Sequence, residues 1–386
     1  MKEELLRFYN ELNDSQRELL NNELNNIDFN FYKKLYEDSK KDEIITSDRI
    51  SPLKYFSKSN MSTEEKNRYI SIGEEIIKEG KVCAILLAGG MGSRLGFNGP
   101  KGTFELDTIP KKSLFEIMID KLKDINKKYN VYLKIFIMTS KSNNDSTIEY
   151  FEEHNYFNYP KDKIMFFTQN ELCILDEEGN LVLENKYTIK KESNGNGDIF
   201  KSFKDNSLNC YLDDIEWISV FGIDNIILDI IDPLFIGLSI YNNTLIASKS
   251  ISKPITDKDW VFARVDNKPT IIKPTFLSDE MKNSSNYNQT NILSHLFNKN
   301  AFIKLEEVIL PYHRVYRKNR FLDKHGNIIN PDKPNSFKFE KLIFDAFYHF
   351  DDMTLLEVEK ADEFSPIKDK ESINEAIIAY NKKLAK

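Results

Sequence analysis

Cysteine is scarce in this sequence, and its three residues, Cys83, Cys173 and Cys210, lie far apart. They form no Cys-x-x-Cys pair and no spacing that suits a zinc site, and their odd number argues against a disulfide framework. Histidine is also rare, and none of the five residues stands in a recognisable Ser/His/Asp or Cys/His arrangement. The sequence therefore predicts reduced thiols, no zinc centre and no nucleophilic catalysis.

Long apolar runs and an excess of positive charge are absent as well. No apolar stretch approaches the roughly 20 residues of a membrane span, and the charged start MKEELLRFY is unlike a signal peptide. We therefore expect a cytoplasmic protein with no membrane partner. The formal net charge is −7, which argues against a nucleic-acid partner and leaves phosphate binding to local groups of basic residues.

The length and pattern of the chain predict several parts. At 386 residues it exceeds the usual size of one domain. We predict an N-terminal helical segment over 1–78, a catalytic nucleotide-binding domain over 79–310 and a small α+β C-terminal domain over 311–386. Because the net negative charge argues against nucleic-acid and anionic-membrane surfaces, the expected partner is a small molecule.

The middle part alternates between apolar strands and amphipathic helices. Strands are predicted at 82–87, 131–139, 164–168 and 217–222, and helices at 113–129 and 147–153. This order is typical of a Rossmann-like α/β fold, a mixed and mostly parallel sheet flanked by helices. Further helices are predicted at 287–297, where His295 would be a packing residue, and from Phe337 through Phe350.

The most informative stretch is 82–106, VCAILLAGGMGSRLGFNGPKGTFEL. The predicted strand ends at glycines 89, 90 and 92, where the backbone can take a positive φ or approach a ligand closely. Arg94 and Lys101 follow, so two cations stand beside exposed peptide N–H groups, a combination that suits phosphate oxygens. The stretch therefore predicts a nucleotide-phosphate loop.

Spacing excludes two common loops of this kind. A P-loop requires Gly-Lys-Ser/Thr, whereas here Lys101 precedes Gly102. A dinucleotide loop requires Gly-x-Gly-x-x-Gly, and its third glycine would fall at Leu95. The loop is of another type.

Polar residues at other predicted strand ends are candidates for the same site, because ligands of parallel α/β sheets bind there. Gln169 follows the strand at 164–168, and its amide could pair with the O4 and N3–H edge of uracil. Asn194 to Asp198 form a second glycine-rich turn. Asp224 follows the strand at 217–222 and could either cap a turn or bind Mg²⁺ together with phosphate oxygens; we favour the metal role.

Together these segments resemble the UDP-sugar pyrophosphorylase family, and within it the eukaryotic-type UDP-N-acetylglucosamine pyrophosphorylases. The signature is Leu87-Ala88-Gly89-Gly90-Met91-Gly92-Ser93-Arg94 followed by Pro100-Lys101-Gly102. The most specific match is Lys333 to Asp345, KPNSFKFEKLIFD, followed by Glu363 to Lys368, EFSPIK. The remaining matches are Met138-Thr139-Ser140, Gln169, Gly195-Asn196-Gly197, Asp224-Asn225, Asp232 to Gly237 and Asn291-Ile292.

The resemblance implies a GT-A-like fold and a transfer reaction in which a sugar 1-phosphate attacks the α-phosphorus of UTP and pyrophosphate leaves. It also implies roles for particular residues. Uracil would be bound by Gly90, Gln169 and Gly195 and the UTP phosphates by Arg94 and Lys101, with Mg²⁺ on Asp224. Asn196 and Asn291 would face the sugar, Lys338 and Lys368 would contact phosphates, and Leu87, Ala88, Gly89, Gly92 and Ser93 would complete the nucleotide loop.

The sequence departs from the family pattern around the expected sugar. Asp198 replaces a glycine, Lys273 replaces a glutamate, and Thr290 replaces the glycine before Asn291. The expected product is a UDP-N-acetylhexosamine, with UDP-N-acetylglucosamine first. A glucose-1-phosphate uridylyltransferase is the alternative within the class, and a non-catalytic UDP-sugar binding protein is the alternative of another class.

Overall fold

The computed structural model describes residues 1–41, 45–254 and 260–385. Its contacts group the chain into two compact units, each assembled from segments that are separate in sequence. Unit 1 comprises Met1–Ile44, Gln169–Asp198 and Ile309–Ile343, and unit 2 comprises Ile45–Thr168, Ile199–Val308 and Phe344–Lys386.

The helices and strands are numbered here in chain order. The α-helices are α1 (Lys2–Leu5), α2 (Asp14–Asn25), α3 (Phe29–Asp38), α4 (Thr63–Lys78), α5 (Leu114–Tyr129), α6 (Asn144–Glu153), α7 (Ile199–Asp205), α8 (Pro233–Tyr241), α9 (Asp279–Lys282), α10 (Lys299–Leu305), α11 (Lys360–Glu363) and α12 (Lys370–Leu384). The strands are β1 (Ile50–Ser51), β2 (Phe56–Ser57), β3 (Val82–Leu87), β4 (Glu105–Leu106), β5 (Lys112–Ser113), β6 (Ile135–Thr139), β7 (Ile164–Thr168), β8 (Glu171–Cys173), β9 (Leu175–Asp176), β10 (Leu183–Asn185), β11 (Thr188–Ile189), β12 (Lys191–Ser193), β13 (Trp217–Gly222), β14 (Ile246–Ser252), β15 (Val261–Val265), β16 (Lys268–Ile272), β17 (Gln289–Asn298), β18 (His313–Arg317), β19 (Phe321–Leu322), β20 (Ile328–Ile329), β21 (Ser336–Glu340) and β22 (Thr354–Glu357).

Unit 2 is built on a large mixed sheet with the order β2-β22-β14-β17-β13-β3-β6-β7. Strands β13, β3, β6 and β7 are parallel, and β17 runs antiparallel to both of its neighbours, β13 and β14. The predicted α/β class with a mixed, mostly parallel sheet is confirmed. Every residue of β3 is buried, which explains why this strand is a continuous apolar run without alternation.

The helices of unit 2 follow from local signals in the sequence. Helix α5 begins where the Ser113 side chain accepts a hydrogen bond from the backbone N–H of Glu116, and it ends at Asn130 in the left-handed conformation. Helices α4 and α8 approach so closely that a Cβ on Gly73 would lie 2.0 Å from the Pro233 carbonyl oxygen. Glycine is therefore required at this crossing.

Unit 1 combines short helices with small antiparallel sheets. Asn13 caps α2 with a capping box, because its side chain accepts from the Gln16 N–H and the Gln16 side chain accepts from the Asn13 N–H. Apolar residues of α2 and α3, including Leu20, Leu24 and Leu35, share one buried cluster with Leu175 and Leu183 of the small strands. The helical N-terminal region is thus part of a folded unit with its own core.

Two predicted helices are wrong. Residues 289–298 form strand β17. A central strand is buried on both faces and lacks the alternation of apolar and polar residues that distinguishes a strand from a helix, so its apolar run wrongly predicted a helix. His295 is nevertheless the packing residue that was expected, since it is fully buried. Residues 336–340 form strand β21 and only Ile343–His349 are helical, as a 3₁₀ segment.

The three sequence ranges 1–78, 79–310 and 311–386 remain a prediction about domains. The end of the second range lies close to the boundary after Val308, but a division by sequence position cannot produce units that interleave. Among the described residues, no helix has the length and apolar character that crossing a membrane requires.

Candidate active site

The glycine-rich loop of unit 2 is held at its base by a buried asparagine. Asn143, which precedes α6, donates from Nδ2 to the carbonyl oxygens of Ala88 at 2.9 Å and Gly90 at 3.3 Å. The loop also closes on itself, because the Lys101 N–H donates to the Gly90 carbonyl at 3.0 Å and the Gly92 N–H to the Gly99 carbonyl at 2.9 Å. The predicted phosphate loop is therefore an ordered structure.

The glycines of this loop have different surroundings. A Cβ on Gly102 would lie 2.2 Å from the Phe115 ring, and one on Gly92 would lie 2.7 Å from Phe97, so packing accounts for both. At Gly90, by contrast, no heavy atom of the described residues would lie within 4 Å of an added Cβ. Gly90 is exposed and faces open space, where a ligand can approach its backbone.

The two groups predicted to bind phosphate and metal lie side by side. Asp224 follows β13, whose last residue is paired with Leu87 at the end of β3. The Lys101 ammonium lies 3.6 Å from the Asp224 carboxylate, and the two side chains are 16% and 31% exposed. One accessible carboxylate beside a phosphate loop is the donor set that Mg²⁺ uses when nucleotide phosphates and water supply its other ligands.

The segment that carries Lys368 is attached to the same turn. The Ile367 N–H donates to the Asp224 carbonyl at 2.8 Å. Asn225 donates to the Glu363 carbonyl at 2.7 Å and accepts from the Ser365 N–H at 3.2 Å. Lys368 is exposed directly beyond this segment. Residues Glu363 to Lys368 are therefore fixed to the loop that presents Asp224.

The other predicted residues of unit 2 occupy the same end of the sheet or its margin. Leu87 and Ala88 are buried, while Ser93 and Arg94 are exposed. Gly89, which follows Ala88, is partly exposed. Asn291 lies on β17 and accepts a hydrogen bond from the Leu293 N–H at 2.8 Å, and Leu293 packs beside Gly222 at the end of β13.

In unit 1, the second glycine-rich turn is held by the end of β21. Gly195 has a φ of +86°, and a Cβ there would lie 2.4 Å from the Lys341 carbonyl oxygen. Asn196 accepts a hydrogen bond at Oδ1 from the Ile343 N–H at 3.0 Å. Gln169 is 6% exposed, and its side chain makes no hydrogen bond within the described chain.

Lys338 lies on β21 of unit 1 and is nearly buried, with 9% of its side chain exposed. Its ammonium contacts the Glu340 carboxylate at 2.9 Å and the Glu192 carboxylate at 3.6 Å, and it donates to the Ser193 hydroxyl at 3.2 Å. Its charge is thus already compensated locally. The predicted phosphate contact of Lys338 remains a prediction.

Two of the departures near the expected sugar are explained by local contacts. Lys273 extends over the ring of Trp260, with the ammonium 5.4 Å from the ring centroid. Thr290 is buried and donates to the Ile251 carbonyl at 3.3 Å. Each side chain therefore has a role within the fold of unit 2.

Unit 2 contains a buried ionic cluster that was not predicted from the sequence. Lys249 is fully buried, and its ammonium lies 2.5 Å from the Glu363 carboxylate and 2.8 Å from that of Asp232. Burial opposes ionisation of Asp232, but the charges of Lys249 and Lys58 bring its pKa below the ordinary value. Lys58 lies 3.1 Å from Glu363 and Lys383 lies 2.6 Å from Asp229, so three ammonium groups, with Lys249, balance the three carboxylates of Asp229, Asp232 and Glu363, and the cluster has no need of a metal ion.

Sequence reasoning missed Asn143, which supports the nucleotide loop. It lies just beyond the end of β6, so the rule that selected Gln169 and Asp224 at strand ends would have included it. Lys249 gave no such signal, because a lysine within a strand is ordinarily exposed.

Comparison with known proteins supports the resemblance noted from the motifs. The model of the UTP–glucose-1-phosphate uridylyltransferase family matches residues 27–379, which is most of the chain. The chain belongs to this family. This uridylyltransferase family member is 32% identical over 344 residues to the UDP-N-acetylglucosamine pyrophosphorylase of Saccharomyces cerevisiae, an alignment that covers 84% of the chain and 72% of the yeast protein.

Other relatives of the uridylyltransferase agree with this assignment. It is 29% identical over 335 residues to the human UDP-N-acetylhexosamine pyrophosphorylase-like protein 1, covering 81% of the chain and 65% of the human protein. Its fold matches the UDP-N-acetylglucosamine pyrophosphorylase of Trypanosoma brucei with a TM-score of 0.79 at 23% identity, over 95% of this chain and 79% of that one. The expected fold and family are therefore confirmed.

Proposed function

We propose that this uridylyltransferase makes a UDP-N-acetylhexosamine from UTP and the sugar 1-phosphate, with N-acetylglucosamine 1-phosphate as the preferred acceptor. The observation that carries the proposal is the glycine-rich loop, where an open Gly90 backbone lies on the same loop as Lys101, whose ammonium lies 3.6 Å from the carboxylate of Asp224 after β13. The similarity to the yeast N-acetylglucosamine enzyme supports the choice of sugar.

The reaction needs charge neutralisation more than proton transfer. A phosphate oxygen of the sugar 1-phosphate attacks the α-phosphorus of UTP in line, the new O–P bond forms, and the bond to the β-phosphate breaks with release of pyrophosphate. Because the nucleophile is already an anion, no general base is required. This agrees with the absence of a recognisable catalytic triad in the sequence.

Several cations of unit 2 suit this chemistry. Arg94 is exposed on the loop and has no hydrogen bond or ion pair within the described chain, so its guanidinium is free to bind a phosphate. Lys368 is likewise exposed beside the Asp224 turn. Lys101 would exchange its contact with Asp224 for UTP phosphate oxygens, because the more highly charged phosphates attract its ammonium more strongly.

We assign Mg²⁺ to Asp224, whose partly exposed carboxylate would be available to the ion if Lys101 contacted phosphate instead. Bound there, the ion would supply charge neutralisation and orientation for the UTP phosphates. Gln169 and Gly195 are proposed for uracil, and Asn196 and Asn291 for the sugar. The Asn196 oxygen is occupied by the Ile343 N–H, so its amide N–H₂ group is the part available to a ligand.

The test is pyrophosphate release from UTP and Mg²⁺ with the 1-phosphates of N-acetylglucosamine, N-acetylgalactosamine, glucose and galactose. We expect an N-acetylated sugar to be preferred and the Lys101→Ala variant to lose about 10²- to 10³-fold in kcat, as for other groups that stabilise transition-state charge. Lys127→Ala, which removes an exposed lysine at the end of α5, is the matched control and should retain activity.

Each alternative gives a distinct result. Preference for glucose 1-phosphate would retain the chemistry and replace the proposed sugar. Binding of UTP or a UDP-sugar without pyrophosphate release from any of the four acceptors would show a non-catalytic binding protein. Full activity of Lys101→Ala would disprove the assigned role of the loop.

A further inference from the structure

Asp198, which replaces a glycine of the family's second glycine-rich turn, is almost completely buried, with 1% of its surface exposed. Its carboxylate contacts other residues of unit 1. Oδ2 accepts from the backbone N–H of Asn170 at 3.0 Å, and Oδ1 accepts from the Asn194 side chain at 3.0 Å. The Lys341 ammonium lies 3.4 Å from Oδ1. A single carboxylate thus joins three separate pieces of chain.

Each of these pieces carries residues assigned to the nucleotide or the sugar. Asn170 directly follows Gln169, Asn194 directly precedes Gly195 and Asn196, and Lys341 ends the segment that begins with β21. Backbone hydrogen bonds reinforce the junction. The Asn194 N–H donates to the Asn170 carbonyl at 2.9 Å, the Lys341 N–H to the Asn194 carbonyl at 2.8 Å and the Gly197 N–H to the Lys341 carbonyl at 2.9 Å.

Asp198 and Lys341 depend on each other electrostatically. Both are buried, and a buried charge without its partner is strongly destabilising, whereas removal of both charges is often tolerated. Lys341 lies in addition over the Tyr312 ring, with its ammonium 5.2 Å from the centroid. The pair is therefore a fixed element of unit 1, and the backbone N–H of Asn170 is fixed with it.

We infer that Asp198 is a positioning residue for nucleobase recognition, acting through Gln169; this inference rests on the proposed function. The Gln169 amide is nearly buried and has no hydrogen-bonding partner in the described chain, so its donors and acceptor are available to a uracil edge. Their position depends on the backbone of residues 169 and 170. Asp198 holds that backbone against the turn that carries Gly195.

Three variants measure this role. Asp198→Ala removes the acceptor of the Asn170 N–H, and we expect it to raise KM for UTP about tenfold, the loss of about 1.4 kcal/mol of binding, while kcat and KM for the sugar 1-phosphate change little. Asp198→Asn retains an acceptor oxygen and should rescue much of this loss. Asp198→Ala combined with Lys341→Met removes both buried charges together with the acceptor of the Asn170 N–H, so it should fold even if Asp198→Ala does not and should show the same rise in KM for UTP.

The control is Asp176→Ala, which removes another loop-fixing aspartate of unit 1. Asp176 accepts from the Asn180 N–H at 2.7 Å and holds a turn that bears no assigned ligand residue. The Asp176→Ala variant should leave KM for UTP unchanged. Equal increases in both KM values, or a fall in kcat alone, would show that Asp198 acts only in general stability and would overturn the inference.

The inference can fail separately from the proposed function. If the wild-type protein releases no pyrophosphate with any acceptor, the proposed function has failed. If the wild-type protein is active and both Asp198→Ala and the double variant retain the wild-type KM for UTP, the proposed function stands and Asp198 has no positioning role.

Discussion

Glycine residues that look alike in the sequence serve different purposes in the loop after β3. A Cβ on Gly92 or Gly102 would meet the Phe97 or Phe115 ring, whereas no atom of the described chain would lie within 4 Å of a Cβ on Gly90. Its φ also lies outside the left-handed region that favours glycine. The fold therefore has no need of glycine at position 90, and ligand binding is the remaining reason for it.

Gly90→Ala should separate binding from stability. We expect the free energy of unfolding to change by less than about 0.5 kcal/mol, while KM for UTP rises at least about tenfold because the new methyl group occupies space beside the loop backbone. Urea unfolding and steady-state kinetics measure the two quantities. Gly237→Ala should instead lower the free energy of unfolding, because its new Cβ would lie 1.8 Å from the Tyr69 carbonyl oxygen. An unchanged KM in Gly90→Ala would contradict the role assigned to Gly90.

His295 is a residue whose burial makes stability depend on pH. Nδ1 contacts the Ser248 hydroxyl at 2.9 Å, and Nε2 has no hydrogen-bonding partner in the described chain. Burial lowers the pKa of His295 from its ordinary value to about 3. Between about pH 6.5 and pH 3 the unfolded chain therefore binds a proton that the folded chain does not, and the free energy of unfolding falls as the pH decreases.

His295→Leu should remove this contribution. Linkage predicts that protonation of His295 in the unfolded chain lowers the free energy of unfolding of the wild type by about 2 kcal/mol as the pH falls from 7 to 5. The decrease measured for His295→Leu over the same range should therefore be smaller by about 2 kcal/mol. Ser248 retains a hydrogen bond to the Ser294 carbonyl at 3.3 Å. The measurement is urea unfolding at both pH values, with the exposed His325→Leu as control. The same pH dependence in wild type and His295→Leu would refute the prediction.

At the scale of elements, the end of β13 and the EFSPIK segment behave as one piece. Hydrogen bonds connect Asp224 and Asn225 to residues 363–367, and the ammonium of Lys249 on β14 lies 2.5 Å from the Glu363 carboxylate beneath them. Burial opposes the charged form of Lys249, but Asp232 and Glu363 raise its pKa. A buried charge network therefore supports the turn that presents the proposed metal ligand.

Lys249→Met tests that support. Removal of the ammonium leaves Asp232 and Glu363 as buried carboxylates with reduced compensation, and we expect a loss of about 3–5 kcal/mol in the free energy of unfolding at neutral pH. Lys268→Met removes an exposed partner of Asp351 and should change stability little. Chemical unfolding of both variants measures the difference. A stability of Lys249→Met equal to that of Lys268→Met would exclude the network as a source of stability.

At the scale of the whole molecule, a ligand that binds only the folded state stabilises it by mass action. UTP at 100 times its Kd should add about 2.7 kcal/mol to the free energy of unfolding. We expect this gain in the wild type and in Lys127→Ala with UTP and Mg²⁺, and a smaller gain in Lys101→Ala. Chemical unfolding with and without the ligands provides the comparison. Equal stabilisation of Lys101→Ala and Lys127→Ala would mean that Lys101 does not bind UTP.

The local features of this protein were predictable from its sequence. The buried β3 strand, helix α5 and the glycine-rich loop depend on neighbouring residues, so apolar runs, helical periodicity and the spacing of glycines were sufficient to predict them. The family assignment followed from the same local motifs. The central strand β17 was read as a helix because burial on both faces removes the alternation that distinguishes a strand.

Contacts between residues that are distant in sequence became known from the three-dimensional fold. The contact of Lys101 with Asp224, the junction of Asp198 with Asn170 and Lys341, and the burial of Lys249 all join residues far apart in sequence. The openness of Gly90 and the compensation of Lys338 by Glu340 likewise depend on what packs nearby. Such pairings arise from the three-dimensional packing of the chain, and residue type and spacing do not encode them in a local pattern.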